Sequence, residues 1–453
     1  MLSRFSWDSL VLLGLILFSI INPYTSGDVL VFLIISFAII YKIFGEYTLL
    51  LLLGIRPAMD YWRDYDIFSY NTFHFNFNAG FSLLLLGWAV YFFWANREYW
   101  KKIPSKWPWL LFIAWCSLTL TYSYDPASTI IETLKAANFF SLFGITHILK
   151  LKDNTNFSKN LYLTLIAAAV IPLLMALNQF ITHTGMSIDG FTNRIYGTFA
   201  HPNNLATFTL LLFMVWFQKI MVEKNKFWRE NPGLGKLIGA FLAVIIFLTY
   251  TRIAWIGFAL FLLTAGWGYY RRFTIGLITG VALFYLIFYP VNAFLVENAN
   301  INLQSIDIIA RLTTRNREAD SISWRADVFN KVLPLYRARP ILGYGYGSFA
   351  QVWDDSKGVE NLWDNTSEAH NDYLKVGFEG GAVGLVLYLS IFASLIFRQI
   401  RIGLKHNWKN LVYLASIFVY LILSASDNML HHTPVIWWLW ALWGMWEAET
   451  TEL

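Results

Sequence analysis

Long runs of apolar residues alternate with short polar connections along most of this chain. A run of about twenty apolar residues can cross the roughly 30 Å hydrocarbon core of a bilayer as a helix. The candidate segments are residues 9–23, 28–44, 46–56, 78–95, 107–123, 127–149, 161–181, 203–220, 237–251, 253–270, 274–295, 374–397, 410–425 and 434–447. The two shortest, 46–56 and 434–447, are the weakest. The pattern predicts an all-α, polytopic membrane protein with about 12–14 transmembrane helices.

The basic residues predict the orientation of these helices. With the N-terminus in the cytoplasm, the basic clusters that fall on the cytoplasmic side lie at 97–106, 150–159, 219–236, 271–272 and 398–409. This is the distribution that the positive-inside rule favours. Omitting segment 46–56 would move every cluster outside, so we keep it as a short or re-entrant span. We therefore expect both termini in the cytoplasm, and the first apolar run to be a membrane helix rather than a cleavable signal.

Composition excludes several other classes of protein. Of the 453 residues, 57% are hydrophobic and 14% are charged, whereas soluble domains carry about 25% charged residues. The chain is therefore neither a soluble globule nor a disordered segment. Its single cysteine, Cys116, excludes an intrachain disulfide. No basic tract interleaved with aromatics suggests nucleic acid, and we expect most tryptophans in belts at the membrane interfaces.

One connection, Glu297 to Tyr373, is much longer than the others and falls outside on this topology. It divides the chain into membrane helices over 1–296, a periplasmic loop over 297–373 and membrane helices over 374–453. The arginines of the loop are Arg311, Arg315, Arg317, Arg325, Arg337 and Arg339. Arginine suits a grip on phosphate or carboxylate because its guanidinium is a planar fork. The alternative is that these arginines pair with acidic residues of the loop itself.

The loop also contains a predicted amphipathic helix. Ser323 is its expected N-cap, and Pro334 is expected to kink or end it. The apolar stripe able to lie on the membrane surface comprises Trp324, Val328, Val332 and Tyr336. The glycines of Gly343 to Gly347 predict a flexible turn, which is no nucleotide P-loop because no Gly-Lys-Ser/Thr follows.

Two further stretches place polar groups where a membrane penalises them. Arg252 stands between two apolar runs with almost no connecting loop, so it is either a functional residue or an anchor at the outer headgroups. Arg194 and Asn203 lie on the outer side, near the start of segment 203–220. Pro202 suits the first turn of that helix. The alternative there is a capped helix entry with a solvated arginine.

A third polar group surrounds the start of segment 374–397. Asn371 or Asp372 can cap this helix, and His370 then lies over a positive helix end that favours a neutral imidazole able to act as a base. The alternative for His370 is an interfacial histidine bonded to a carbonyl. Glu379 lies deeper in the segment, where we expect it to meet a cation such as Arg252 or to be protonated.

Metal-binding patterns are weak in this sequence. His431 and His432 could bind a metal with His370, but no carboxylate follows at ligand spacing. The Asp64-Tyr65-Asp66 triplet is of a kind that often arises by chance. We therefore predict no metal and no cofactor.

Four motifs follow one another along the chain. The first, over Arg194 to Ala206, is an arginine followed by Gly-x-Phe and Pro-Asn-x-Leu-Ala, and the second is Arg-x-Ala-Trp within Thr251 to Gly257. The third runs from Trp324 to Phe349 and contains Arg325 and Arg339-Pro340-Ile341-Leu342-Gly343. The fourth, over His370 to Leu385, is His-Asn-x-Tyr-Leu followed by Glu-x-Gly-x-x-Gly-Leu. In this order, with the long loop between them, they resemble the bacterial O-antigen ligase/polymerase family. The resemblance covers about residues 190 to 400.

The resemblance implies an enzyme of the inner membrane that transfers glycans carried by undecaprenyl pyrophosphate. It implies functional roles for Arg252, Arg325 and His370. Arg252 and Arg325 would hold the pyrophosphate and His370 would take a proton from the acceptor hydroxyl, without metal or nucleotide sugar. We add Arg194, Asn203, Asn371, Glu379 and Arg339 as candidate substrate-binding residues. The chain has Thr251-Arg252-Ile253 where the family often has Ser-Arg-Gly.

The acceptor stays open between three enzyme activities: a ligase acting on lipid A-core, which we favour, a polysaccharide polymerase, and a protein O-oligosaccharyltransferase. The expected partners are a lipid-linked glycan donor, a glycan acceptor and membrane lipids. A lipid or polysaccharide transporter is the alternative of another class, in which the same residues gate a path. The sequence has no visible inverted repeat of the kind that marks many transporters.

Overall fold

The computed structural model has the helical architecture that the apolar pattern predicts. It describes residues 36–451, apart from 64–65, 71–72, 154–155, 189–190, 224–225, 300–320, 356–367, 407 and 409. Within these ranges six helices are long and apolar enough to cross a membrane. The prediction of an all-α, polytopic membrane protein is confirmed. Several predicted features lie outside the described residues: segment 9–23, residues 28–35 of segment 28–44, the Asp64-Tyr65 pair, and Arg311, Arg315 and Arg317.

We number the described elements in chain order. The helices are α1 (Ser36–Trp62), α2 (Phe77–Ala95), α3 (Lys106–Thr119), α4 (Pro126–Lys152), α5 (Asn156–Thr182), α6 (Pro202–Trp216, continued by a π-turn at Phe217–Val222), α7 (Lys226–Glu230), α8 (Pro232–Leu248), α9 (Arg252–Ala299), α10 (Ser321–Ala338), α11 (Phe349–Asp355), α12 (Asp372–Lys405), α13 (Leu411–Ser424) and α14 (Thr433–Thr451). Helix α9 has non-helical angles at Tyr270, the last residue of predicted segment 253–270, and so bends just before predicted segment 274–295.

Two small hairpins interrupt the helices. Strands β1 (Asp66–Tyr70) and β2 (Phe73–Asn76) pair antiparallel, as do β3 (Met186–Ile188) and β4 (Phe191–Arg194). The second hairpin matters for the site, because its last residue is Arg194.

Helix α14, one of the two weakest predicted spans, packs against α4 and is buried along most of its length. Its tryptophans are all buried: Trp437, Trp438, Trp440, Trp443 and Trp446. Their expected place in an interfacial belt is therefore wrong for α14, where large rings fill the space between helices instead. The close approach of α4 is possible because position 444 is glycine: a Cβ there would lie 2.1 Å from the carbonyl oxygen of Phe143.

Helix α12 is broken in the middle, and the glycine-rich turn fills the break. Gly381 has φ 65° and ψ −170°. The amide of Ala382 donates to the carbonyl of Pro340 at 2.9 Å, and that of Gly345 donates to the carbonyl of Glu379 at 2.8 Å. A Cβ on Gly381 would lie 2.0 Å from the carbonyl oxygen of Ile341. The turn is therefore fixed to the helix, and it satisfies backbone groups that the break exposes.

The predicted loop helix is α10, and it docks on protein. Val328 and Val332 of the predicted stripe are buried in a cluster with Tyr344, Phe349 and Phe378. For these two valines the expectation that the stripe lies on the membrane surface is therefore wrong. Pro334 does not end the helix, which continues to Ala338. Docking on α12 holds α10 beside the start of that helix, where His370 lies.

Candidate functional site

Arg252 is the first residue of α9, directly after a tight turn. Helix α8 ends at Leu248, and Tyr250 takes a left-handed φ of 53°. The carbonyl of Thr251 accepts the amide of Ala254 at 3.1 Å, which starts the new helix at once. The Arg252 side chain is partly exposed. A guanidinium at a helix N-terminus combines two positive features, the side-chain charge and the helix dipole, so the position attracts an anion.

Arg194 is buried beneath this turn, with 2% of its surface exposed. Its Nε donates to the carbonyl of Thr249 at 2.9 Å, and one terminal nitrogen lies 3.4 Å from both Asn203 Oδ1 and Thr251 Oγ1. The alternative of a solvated arginine at a helix entry is therefore wrong. Through these contacts Arg194 holds Thr249 and Thr251, which precede Arg252. It also contacts Asn203, which follows His201.

Asn203 joins the arginine turn to the loop between α13 and α14. Its Oδ1 accepts the Thr251 hydroxyl at 3.2 Å, and its Nδ2 donates to Asp427 Oδ2 at 2.9 Å. Pro202 opens α6, as predicted, and His201 is the N-cap, its Nδ1 accepting the amide of Asn203 at 3.1 Å. The Asn203 amide thus connects parts of the chain that are 224 residues apart.

Asp427 is the centre of this network. It is 2% exposed, and Oδ1 lies 3.9 Å from His370 Nδ1 and 3.7 Å from His432 Nε2. Burial alone would raise the pKa of Asp427, but His432, His370 and Arg325 outweigh it and hold that pKa below its usual value. Asp427 is therefore an anion that faces histidines and an arginine from three separate segments.

His370 has a left-handed backbone, with φ 46°. This conformation is uncommon for any residue other than glycine, and such strain collects at functional sites. Asn371 follows as the N-cap of α12: its Oδ1 accepts the amide of Leu374 and its Nδ2 donates to the carbonyl of Ala425, both at 3.0 Å. The predicted cap is confirmed. Asn371 also ties His370 to the loop that carries Asp427.

The two remaining candidate arginines, Arg325 and Arg339, lie in different parts of the structure. Arg325 lies on α10, is partly exposed and interacts electrostatically with Asp427. Arg339 is exposed just after α10, its guanidinium 5.2 Å from the ring of Tyr124 and 5.0 Å from that of Tyr344. The structure therefore brings Arg325 to the Asp427 network, and gives Arg339 a cation–π position between two tyrosines.

Glu379 is fully buried, and its ion pair is with Lys375, one turn earlier in α12. The expectation that Glu379 meets a cation is confirmed, but the cation is Lys375 rather than Arg252. Glu379 Oε1 also accepts the amide of Phe349 at 3.2 Å. This carboxylate therefore holds the start of α11 and the glycine-rich turn against the break in α12.

Burial lowers the pKa of two histidines of the site, His201 and His432. Burial, reinforced by the Arg194 charge, lowers the pKa of His201 from 6.5 to about 4. Across the described ranges no group of three or more His, Cys, Asp or Glu residues is arranged to hold a metal ion.

Sequence reasoning missed Asp427, His201 and Lys375. For Asp427 a signal was present: a carboxylate in the short connection between two apolar runs, four residues before a histidine pair. A charged group at such a boundary needs a partner and is a functional candidate by default. Nothing local points to His370 as that partner.

The fold and the site together define a polytopic membrane protein with an arginine- and histidine-lined polar site. Residues 237–389 match the family model described as O-antigen ligase, so the resemblance predicted from the four motifs is confirmed. The range contains Arg252, Arg325, His370 and the loop between them.

Curated relatives agree with this family. A candidate polysaccharide ligase of Rickettsia typhi is 26% identical over 352 residues, which cover 73% of this chain and 76% of the relative. Similar proteins of the same description occur in Rickettsia prowazekii, at 25% identity over 75% of this chain and 78% of the relative, and in Rickettsia conorii, at 26% over 73% and 75%. The family match and these relatives support an enzymatic role in glycan transfer.

Proposed function

We propose that this protein is a ligase that moves a glycan from an undecaprenyl-pyrophosphate donor to a hydroxyl group of lipid A-core. The reaction would take place at the periplasmic face of the bacterial inner membrane. The observation that carries the proposal is the continuous network from the Arg252 turn through Asn203 and Asp427 to His370. It joins a cationic anion-binding element to a basic side chain, the two groups that this reaction needs.

The arginines act on the leaving pyrophosphate. Arg252 and Arg325 supply guanidinium forks, and the N-terminus of α9 adds its amides and its dipole. Negative charge grows on the pyrophosphate as the bond to the anomeric carbon breaks, so fixed cations there stabilise the transition state more than the ground state. Buried Arg194 acts indirectly, by holding the Arg252 turn in place.

His370 acts on the acceptor. In this proposal its Nε2 takes the proton of the acceptor hydroxyl while Nδ1 faces Asp427. The acceptor oxygen forms a bond to the anomeric carbon, the bond from that carbon to the phosphate oxygen breaks, and its electron pair leaves with the pyrophosphate. The imidazolium then loses its proton to water. The proposal needs no metal or other cofactor, because the donor is already activated and the arginines neutralise the leaving group.

The test is transfer by the purified protein in detergent, with a lipid-linked oligosaccharide as donor. Lipid A-core, a second lipid-linked glycan and a peptide are offered in parallel. We expect transfer to lipid A-core; transfer only to the second glycan or to the peptide would instead identify a polymerase or a protein glycosyltransferase. Consumption of donor without a membrane or gradient would also exclude a transporter.

His370→Ala separates chemistry from binding. We expect a folded protein that binds donor normally and transfers about 10²–10⁴-fold more slowly, the usual contribution of a positioned general base. His406→Ala, at the opposite end of α12, is the matched control and should be unaffected. A His370→Ala rate within a few-fold of wild type would remove this base from the mechanism.

A further inference from the structure

A second polar cluster involves the same two chain segments that carry His370 and Asp427, together with helix α4. We call Glu132, Glu368 and His431 the acidic rim. His431 Nδ1 lies 3.1 Å from Glu368 Oε1, and its Nε2 lies 3.9 Å from Glu132 Oε2. Glu368 precedes His370 by two residues, and His431 follows Asp427 by four. The rim and the Asp427 network therefore share the same two chain segments.

Two residues of the acidic rim are partly exposed to solvent, and the third is buried and paired with a lysine. The side chains of Glu368 and His431 are 33% and 27% exposed, whereas that of Glu132 is 10% exposed. Lys135 pairs with Glu132 at 2.6 Å, and Lys375 pairs with the buried Glu379. Burial would raise the pKa of Glu368, but His431 and Lys375 outweigh it and lower that pKa. Glu368 is therefore ionised, and an ionised carboxylate only accepts hydrogen bonds.

Two polar atoms here lack a hydrogen-bond partner within the part of the chain that the structure describes. One is Nε2 of His431, and the other is Oε2 of the fully buried Glu379. Glu379 and Glu132 interact electrostatically, so the second atom belongs to the same charged group as the rim. Buried polar atoms without partners are rare in folded proteins, and each needs an explanation such as a ligand.

The acidic rim and the Asp427 network differ in the charge of their surroundings. Glu132, Glu368 and Glu379 lie near Lys135 and Lys375, whereas Asp427 faces Arg325, His370 and His432. Arg194 joins that second group through its contact with Asn203, which donates to Asp427. A pyrophosphate is drawn to the arginines and repelled by the rim. A ligand of the rim must instead offer hydrogen-bond donors without negative charge.

We propose that the acidic rim binds the acceptor sugar through its hydroxyl groups, and selects a sugar without phosphate at the point of attachment. The proposal rests on the proposed transfer reaction and assigns the acceptor side of the same site. Carboxylates accept charge-assisted hydrogen bonds from sugar hydroxyls, and the adjacent His370 would then face the hydroxyl that reacts. Glu368 and His431 are positioning and specificity residues in this scheme.

The experiment measures binding apart from transfer. Purified protein is titrated with lipid-free core oligosaccharide, dephosphorylated or with its phosphates retained, and tryptophan fluorescence is recorded. We expect Glu368→Gln, and separately His431→Gln, to weaken binding of the dephosphorylated probe about tenfold, the usual effect of one lost charge-assisted hydrogen bond. Glu223→Gln is the matched control, because Glu223 is an exposed partner of Lys219 on another helix end, and it should bind like wild type.

Transfer kinetics give a second readout. The rim variants should raise the acceptor KM about tenfold and leave the donor KM within twofold. Unchanged probe binding in both variants, or tighter binding of the phosphorylated probe, would overturn the proposal. If the rim binds the probe but the wild type transfers no glycan, the transfer reaction is refuted and the sugar site remains.

Discussion

Asp427→Asn is the most direct test of the network at the site. The change removes one negative charge and keeps the size of the side chain, so an amide oxygen can still accept the Asn203 Nδ2 hydrogen bond. The fold should therefore survive. What is lost is the charge that faces His370 when the imidazole takes a proton during transfer.

The expected loss of kcat follows from the distance between Asp427 and His370. At 3.9 Å between Asp427 Oδ1 and His370 Nδ1, two unit charges attract by about 4 kcal/mol at an effective dielectric constant of about 20. That energy corresponds to a rate factor of about 10³. His432 shares the Asp427 charge, and the His370 side chain is 20% exposed, so solvent screens part of the attraction. We expect kcat to fall about 10²-fold.

The assay is transfer at saturating donor, with protein matched for amount and for thermal stability. Asp153→Asn provides the control, because Asp153 accepts the Tyr47 hydroxyl at 2.6 Å beyond the far end of α4. Donor KM should not change in either variant. A folded Asp427→Asn protein with kcat within threefold of wild type would refute the reasoning. A rise in donor KM without loss of kcat would instead show that Asp427 contributes to donor binding.

Three other predictions concern the donor, the topology and the pH dependence. Arg252→Lys should lose about 10²-fold in transfer although the charge remains, because lysine lacks the bidentate fork; normal transfer would make Arg252 only an anchor. In a Cys116→Ala background, a membrane-impermeant thiol reagent should label Asn330→Cys but not Lys226→Cys in intact cells, and the reverse pattern would overturn the orientation. Because the pKa of His201 is lowered from 6.5 to about 4 in the folded state, the unfolded chain binds more protons between these values. Thermal stability in detergent should therefore fall as the pH drops from 7 to 5, and fall less in His201→Asn, which keeps a neutral cap; an equal fall in both proteins would contradict this.

The sequence alone determined the class of fold and the position of the chemistry along the chain. Apolar runs of membrane length have few structural options, because every backbone group in lipid must be satisfied within the segment. The caps are equally local: Pro202 and Asn371 act at helix starts as their residue types predict. The motifs around Arg252 and His370 located the polar site because they interrupt apolar runs with charge.

The tertiary structure alone decided which of these groups meet. Asn203 and Asp427 are 224 residues apart, and no local pattern encodes their contact. Glu379 pairs with Lys375, one turn earlier on the same helix, and not with Arg252 on another helix. Helix α14 covers one of the two shortest predicted spans and yet is buried among the other helices, because tryptophan rings fill the space between helices. Local sequence specifies an element, but its partners depend on how all the helices pack together, and that packing assembles the site.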